Sequence, residues 1–248
     1  MNTKLNLAVA AALLAGASSA NAGIMIPAGD WTLDIGGIVN AYYTHTNFSG
    51  DAAGVGGASE RGNGDSVNNI TTGLLPNYLS VSGKTRQNDL DVGFTISINP
   101  GSSTTQAGEQ NNPNNQENRQ AFLTFGDKSW GSIKVGKDLG IYASDAILND
   151  MTLLGVGSGA GLLAGNTTTL GRIGTGFQYA DWKSQIAYSS PNWNGFSFTA
   201  GLTQGWNAIS VINPGDISAS AGSTGRSGGQ SAYEGKASYE WAGDVNFG

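Results

Sequence analysis

Alternation of apolar and polar residues with a period of two is the feature that most constrains this chain. In segment 91–98 every second residue is apolar, which puts Val92, Phe94, Ile96 and Ile98 on one face of a predicted strand. The same period occurs in segments 181–188, 196–203 and 233–241, and it puts Ile186, Phe196 and Phe198 on the apolar faces of their strands. A strand of this kind has its two faces in two different environments. The pattern therefore predicts an all-β fold.

Composition narrows the function classes. Glycine accounts for 39 of 248 residues and charged residues for 12%, against about 7% and about 25% in ordinary globular proteins, which disfavours helical and Rossmann-type cores. The chain has no cysteine and only one histidine, His45, which excludes thiol catalysis, zinc-thiolate sites and multi-histidine metal sites. With a net charge of −6, a basic footprint for nucleic acid is absent. We expect no enzyme activity, no cofactor, no metal and no nucleic-acid partner.

The N-terminus is predicted to be a signal peptide, residues 1–22. Lys4 supplies the positive start, Leu5 to Ala17 form an apolar stretch, and Ala20-Asn21-Ala22 is a cleavage pattern. The mature chain, residues 23–248, then begins at Gly23 and contains no apolar helical span.

Connections between the predicted strands differ in length in a regular way. Turns near residues 86–89, 126–129 and 192–195 are short, whereas segments 47–70, 99–118, 139–171 and 204–230 are long and polar. Short turns on one side and long loops on the other are typical of outer-membrane barrels, whose strands alternate between lipid and lumen. A sheet that spans a bilayer must close on itself, because lipid cannot satisfy free backbone groups.

Several motifs resemble the general trimeric porins of Gram-negative bacteria. They are Gly131-Ser-Ile-Lys-Val-Gly-Lys-Asp-Leu-Gly140, Leu148-Asn-Asp-Met151, Leu170-Gly-Arg-Ile-Gly174 and Ser184-Gln-Ile-Ala-Tyr-Ser-Ser-Pro191. The resemblance implies a sixteen-stranded barrel whose third external loop, about residues 139–171 here, folds inward and narrows the pore. It implies that Lys137 and Arg172 stand on the basic wall of this constriction and Asp150 on the acidic loop.

The chain departs from that family pattern at two places. Leu154 stands where some members carry a second loop carboxylate, and no arginine occurs near Leu79 or Ser80. The constriction is therefore expected to carry fewer charges than in those family members and to discriminate weakly between ions. By alternation alone, Lys134 and Lys183 on their strands and Asp145 on the loop are further candidate lining groups.

These observations predict a transmembrane antiparallel β-barrel of porin type. About nine strands can be counted, which predicts an incomplete barrel and an N-terminal fragment of a longer product. They lie near residues 31–45, 71–85, 90–98, 119–126, 131–138, 177–190, 196–204 and 231–241, with a ninth beginning at Val245. The expected function is passive diffusion of ions and small hydrophilic solutes across the bacterial outer membrane. The expected partners are those solutes, outer-membrane lipid or lipopolysaccharide, and two further copies in a homotrimer.

Other interpretations remain open. A surface or secreted all-β adhesin without pore activity would share the Gly, Asn and Ser enrichment, although no fixed internal repeat is found. Gly131 to Lys137 has the spacing of a phosphate-binding loop, but Asp138 stands where Ser or Thr is required. His45 lacks a nucleophile motif beside it, so it is interpreted as a surface residue.

Overall fold

The computed structural model describes residues 23–47, 66–102, 116–149, 153, 155, 180–206 and 226–241, in which β-strands predominate. Within these described ranges the one helix, α1, spans Ser144–Leu148. The strands are β1 (Ile24–Ala28), β2 (Trp31–Ile38), β3 (Tyr42–Asn47), β4 (Ser66–Thr71), β5 (Tyr78–Gln87), β6 (Leu90–Pro100), β7 (Gln116–Glu117), β8 (Ala121–Asp127), β9 (Gly131–Leu139), β10 (Trp182–Ser189), β11 (Phe196–Trp206) and β12 (Arg226–Tyr239).

Nearly all of these strands belong to one antiparallel sheet. Its order is β1-β2-β5-β6-β8-β9-β10-β11-β12, and the two-residue strand β7 pairs with β6. Strands β3 and β4 form a separate hairpin. Among the strands that the structure describes, the sheet is open, with β1 and β12 at its edges. The predicted antiparallel, all-β architecture is confirmed.

The register sorts side chains onto two faces. We call the first the apolar face, and one of its rows runs through Ile26, Leu33, Gly83, Phe94, Leu123, Val135, Ile186, Leu202 and Tyr233. We call the second the polar face, and one of its rows runs through Thr32, Lys84, Gly93, Thr124, Lys134, Ala187, Gly201 and Glu234. Alternation in the sequence therefore identified both faces.

Large apolar side chains lie exposed on the apolar face. Ile96 and Ile186 are each 55% exposed and Tyr233 is 86% exposed. An apolar surface of this extent is unfavourable in water and marks contact with another apolar phase.

The two ends of the sheet differ, as the loop lengths predict. One end carries tight turns, including the β5–β6 turn, where Asn88 and Asp89 both have positive φ, the conformation of a two-residue type I′ hairpin turn. The other end carries the connections that leave β2, β6, β9 and β11.

Some strand bounds differ from those expected. Residues 24–28, which precede the first strand expected from the sequence, form the edge strand β1, where Pro27 is tolerated. The strand expected over 31–45 divides into β2 and β3 near Asn40, whose amide binds Gly73 and Leu75. Gly131 to Lys137 lies within strand β9 and opens no helix, which is inconsistent with a phosphate-binding loop.

Among the residues described, no helix combines the length and the apolar character needed to cross a membrane. Helix α1 belongs to the connection that follows β9. Ile141 and Ile147 in this connection are among the few buried apolar side chains, together with Leu74, Ala180 and Ala187. Burial in the described residues is therefore concentrated near this connection, outside the exposed apolar face.

Candidate functional site

The connection that follows β9 turns onto the polar face of the sheet. We call residues 140–149, with Leu153 and Gly155, the inner loop. The Gly140 amide donates to the carbonyl oxygen of Asp181, 2.6 Å away, where the chain returns to β10. The amides of Ile141 and Tyr142 both donate to Oε2 of Glu234 on β12, at 2.9 and 3.0 Å.

Glu234 also joins the loop to the wall beneath it. Its Oε1 accepts hydrogen bonds from Lys183 Nζ on β10, at 2.5 Å, and from Thr203 Oγ1 on β11, at 3.1 Å. The side chains of Lys183 and Glu234 are only 11% and 9% exposed. A buried carboxylate needs such partners, because an unpaired charge away from water is strongly unfavourable.

A second contact holds α1 to the same strand. Lys236 follows Glu234 on the polar face, and its Nζ lies 3.0 Å from Ser144 Oγ and 2.8 Å from Asp145 Oδ1. Ala143, between the two sets of contacts, has the left-handed backbone conformation with φ of 60°. An alanine in this conformation is strained and persists only where its surroundings hold it.

The inner loop also contacts the connection that leads into β5, a strand near the β1 edge of the sheet and distant from β12 in the strand order. The amide of Leu74, in the connection between β4 and β5, donates to the Gly155 carbonyl at 2.8 Å. This connection is itself fixed by Asn40, whose Oδ1 accepts from the Gly73 amide at 2.9 Å. The inner loop therefore has contacts with β12 at one end and with the β4–β5 connection at the other.

Lys134 lies on the polar face of β9 and pairs with Asp138, four residues further along the same face. Asp138 Oδ1 also accepts from Gln120 Nε2 at 3.1 Å. The ammonium of Lys134 stands 4.8 Å from the centre of the Phe122 ring, within the range of a cation–π contact.

Lys137 does not join Lys134 and Lys183. It pairs with Ala121 and Ser184, in the same parity as Val135 and Leu139 on the apolar face. Its Nζ donates to the carbonyl oxygen of Asn118 at 2.7 Å. The resemblance implies that Lys137 stands on the pore wall, whereas the register gives it the parity of the apolar face, because residues at odd spacing along a strand point to opposite faces.

Of the remaining expected site residues, Asp150 and Arg172 lie outside the described residues. The structure pairs Lys183 with Glu234 and Asp145 with Lys236, so both expected residues have ion-pair partners on β12. Glu234 and Lys236 were not among the site residues expected from the sequence. Alternation did put both on a polar face, but it could not show that they meet a loop more than ninety residues earlier.

Asp181, just before β10, has a pKa above its ordinary value. Burial is the main cause, opposed by a hydrogen bond from the Trp182 amide to its Oδ1 and by the charge of Lys183. Glu117 raises the pKa further and Lys137 lowers it. The carboxylate at this return point is therefore less stable as an anion than an exposed aspartate.

A cavity of about 690 Å³ opens on the polar face at the short-turn end. Arg86 links two turns there, since its guanidinium lies 2.9 Å from both Asp91 Oδ1 and Asp127 Oδ2. Lys84 lines the same space. Across the described ranges, no group of three or more His, Cys, Asp or Glu side chains could hold a metal ion.

Comparison with known proteins agrees with this geometry. No curated protein matches the chain significantly. The family model for Gram-negative porins, proteins of the bacterial outer membrane, matches residues 8–248. An antiparallel sheet with one exposed apolar face and one polar face is the arrangement of an outer-membrane barrel wall. The chain belongs to the Gram-negative porin family.

Proposed function

We propose that this protein is a passive diffusion channel for ions and small hydrophilic solutes in the outer membrane. The observation that carries the proposal is the inner loop, which lies on the polar face and is held there by Glu234 and Lys236. In a closed barrel the polar face lines the lumen, so a loop on that face narrows the water-filled path. We assign the constriction loop to about residues 139–171, in a mature chain that follows a signal peptide of residues 1–22.

The constriction is proposed to contain Lys134, Asp145 and Lys183, with Asp150 and Arg172 from the chain outside the described residues. The first three are each paired with an opposite charge. Paired charges set up a weak net field, which favours a nonspecific pore over an ion-selective one. Replacing Asp150 by Asn is expected to move the reversal potential toward anions, and replacing Arg172 by Gln toward cations.

The protein is further proposed to form homotrimers surrounded by outer-membrane lipid and lipopolysaccharide. The exposed Ile96, Ile186 and Leu202 support contact with acyl chains. Porins of this family are generally trimers that pass solutes, which supports the oligomer. Native mass spectrometry in detergent is expected to give a trimer mass, and monomers alone would contradict it.

The test of channel function is conductance. Native protein extracted from outer membranes with detergent is expected to produce stepwise conductance increments in a planar bilayer, and to let liposomes swell in small sugars but not in large polymers. Protein that is released by salt washing and gives no conductance would instead favour the adhesin interpretation.

A further inference from the structure

We infer that Glu234 and Lys236 of β12 are positioning residues that set the pore width by docking the root of the constriction loop on the wall. This inference rests on the proposed channel function. Neither side chain needs to touch the passing solute. Each acts through the loop that it holds.

The contacts of Glu234 are directional. Oε2 faces two consecutive loop amides, of Ile141 and Tyr142, while Oε1 faces Lys183 and Thr203 of the wall. A single carboxylate thus joins the loop backbone to two neighbouring strands. Because hydrogen bonds to a charged group are stronger than neutral ones, loss of the charge weakens the loop attachment.

Lys236 supplies the second attachment of the inner loop to β12. It binds Ser144 and Asp145 at the start of α1, which has no side-chain cap of its own. The strained Ala143 lies between the residues held by Glu234 and those held by Lys236. When either contact is removed, release of this strain favours departure of the loop root from the wall.

The pairing of Lys236 with Asp145 can be inverted without a change in net charge. The double variant Lys236→Asp with Asp145→Lys keeps opposite charges on the same two elements. If Lys236 acts by docking α1, this double variant recovers wild-type behaviour that Lys236→Gln loses. A lysine that merely supplies positive potential to the lumen would not be replaced by this exchange.

The experiment is single-channel recording of the native protein and its variants. Glu234→Gln and Lys236→Gln are expected to add a second conductance level, with the ratio of displaced to docked dwell times raised about tenfold, the effect of losing one charged hydrogen bond. Glu240→Gln is the matched control for Glu234, since it removes the same charge in the same parity of the chain just beyond β12. Lys84→Gln is the control for Lys236, on the polar face at the short-turn end.

Each outcome decides the inference. A second level in the two β12 variants, its absence in both controls and its reversal in the charge exchange support the docking role. Wild-type-like records from Lys236→Gln, or a second level that the charge exchange does not reverse, overturn the inference while leaving channel function intact. If Glu234→Gln does not fold, as judged by heat-modifiable mobility on gels, the half-exposed Lys236–Asp145 pair still decides it. A wild-type protein that does not conduct overturns the channel function and the docking role together.

Discussion

Lys134 and Lys137 lie on opposite faces of β9. Lys134 pairs across the sheet with Thr124 and Ala187 on the polar face, whereas Lys137 pairs with Ala121 and Ser184 on the apolar face. The two lysines are close in sequence and equal in charge, but only one of them faces the proposed pore.

This relationship predicts different effects of the same substitution. Lys134→Gln is expected to move the reversal potential toward cations, because it leaves Asp138 without its cationic partner. Lys137→Gln is expected to leave the potential unchanged. Reversal potentials in a salt gradient measure both, and the Lys134 effect should shrink near 1 M salt, where the screening length falls to about 3 Å. Equal shifts from the two variants would contradict the register.

The apolar face predicts where a charge destabilises the barrel. Ile96→Arg is expected to lower the free energy of unfolding by about 2–4 kcal/mol, the value for an arginine on the lipid face near the bilayer midplane. Thr95→Arg is the matched control, because Thr95 lies on the polar face beside Ser82. It is expected to alter conductance with a smaller effect on stability. Denaturant titration in lipid vesicles measures the free energy of unfolding of both variants. Equal losses in the two variants would refute the assignment of faces.

Gly140 is the first residue of the inner loop, and its backbone lies too close to Ala180 to leave room for a side chain. A Cβ there would lie 2.2 Å from the Ala180 carbonyl oxygen and 3.3 Å from Lys183 Nζ. Gly140→Ala is therefore expected to destabilise the protein by about 1–3 kcal/mol, as overpacking does. It should also disturb the docked loop in single-channel records.

Gly36→Ala provides the control for Gly140→Ala. Its Cβ would meet nothing closer than 4.0 Å, so near wild-type stability is expected. Thermal unfolding in detergent compares the two variants. If the Gly140→Ala protein were as stable as the Gly36→Ala protein, the chain around Gly140 would accommodate a larger side chain than the contact with Ala180 implies.

The raised pKa of Asp181 predicts that the contribution of this side chain to protein stability depends on pH. An acid whose pKa is raised by folding is favourable while protonated, and this contribution is lost as the pH rises through the folded pKa. Asp181→Asn keeps an oxygen acceptor for the Trp182 amide and removes the charge. We expect it to raise the melting temperature at pH 7 and to leave it unchanged at a pH below the ordinary aspartate range. A gain of equal size at both pH values would point to a cause other than ionisation.

The faces of the sheet could be predicted from the sequence because alternation is a local property of a strand. Phe94, Ile186 and Phe198 were assigned to the apolar face by parity alone, and the register agrees. Parity also separates Lys134 from Lys137, since Lys137 continues the series of Ile133 and Val135. The family resemblance implies a pore-wall position for Lys137 instead, and the reversal potentials of the Lys134 and Lys137 variants decide between the two assignments.

Only the tertiary structure decided which charges meet. Lys183 and Glu234 are 51 residues apart, and Lys236 and Asp145 are 91 apart. Alternation specifies the face of each residue, but it does not specify the strand order, the stagger between strands or the path of a loop, and those three quantities set the distance between side chains on one face. The sequence by itself therefore determined the two-faced sheet of this porin. The path of the inner loop over the polar face determined that Glu234 and Lys236 are the residues of β12 that contact it.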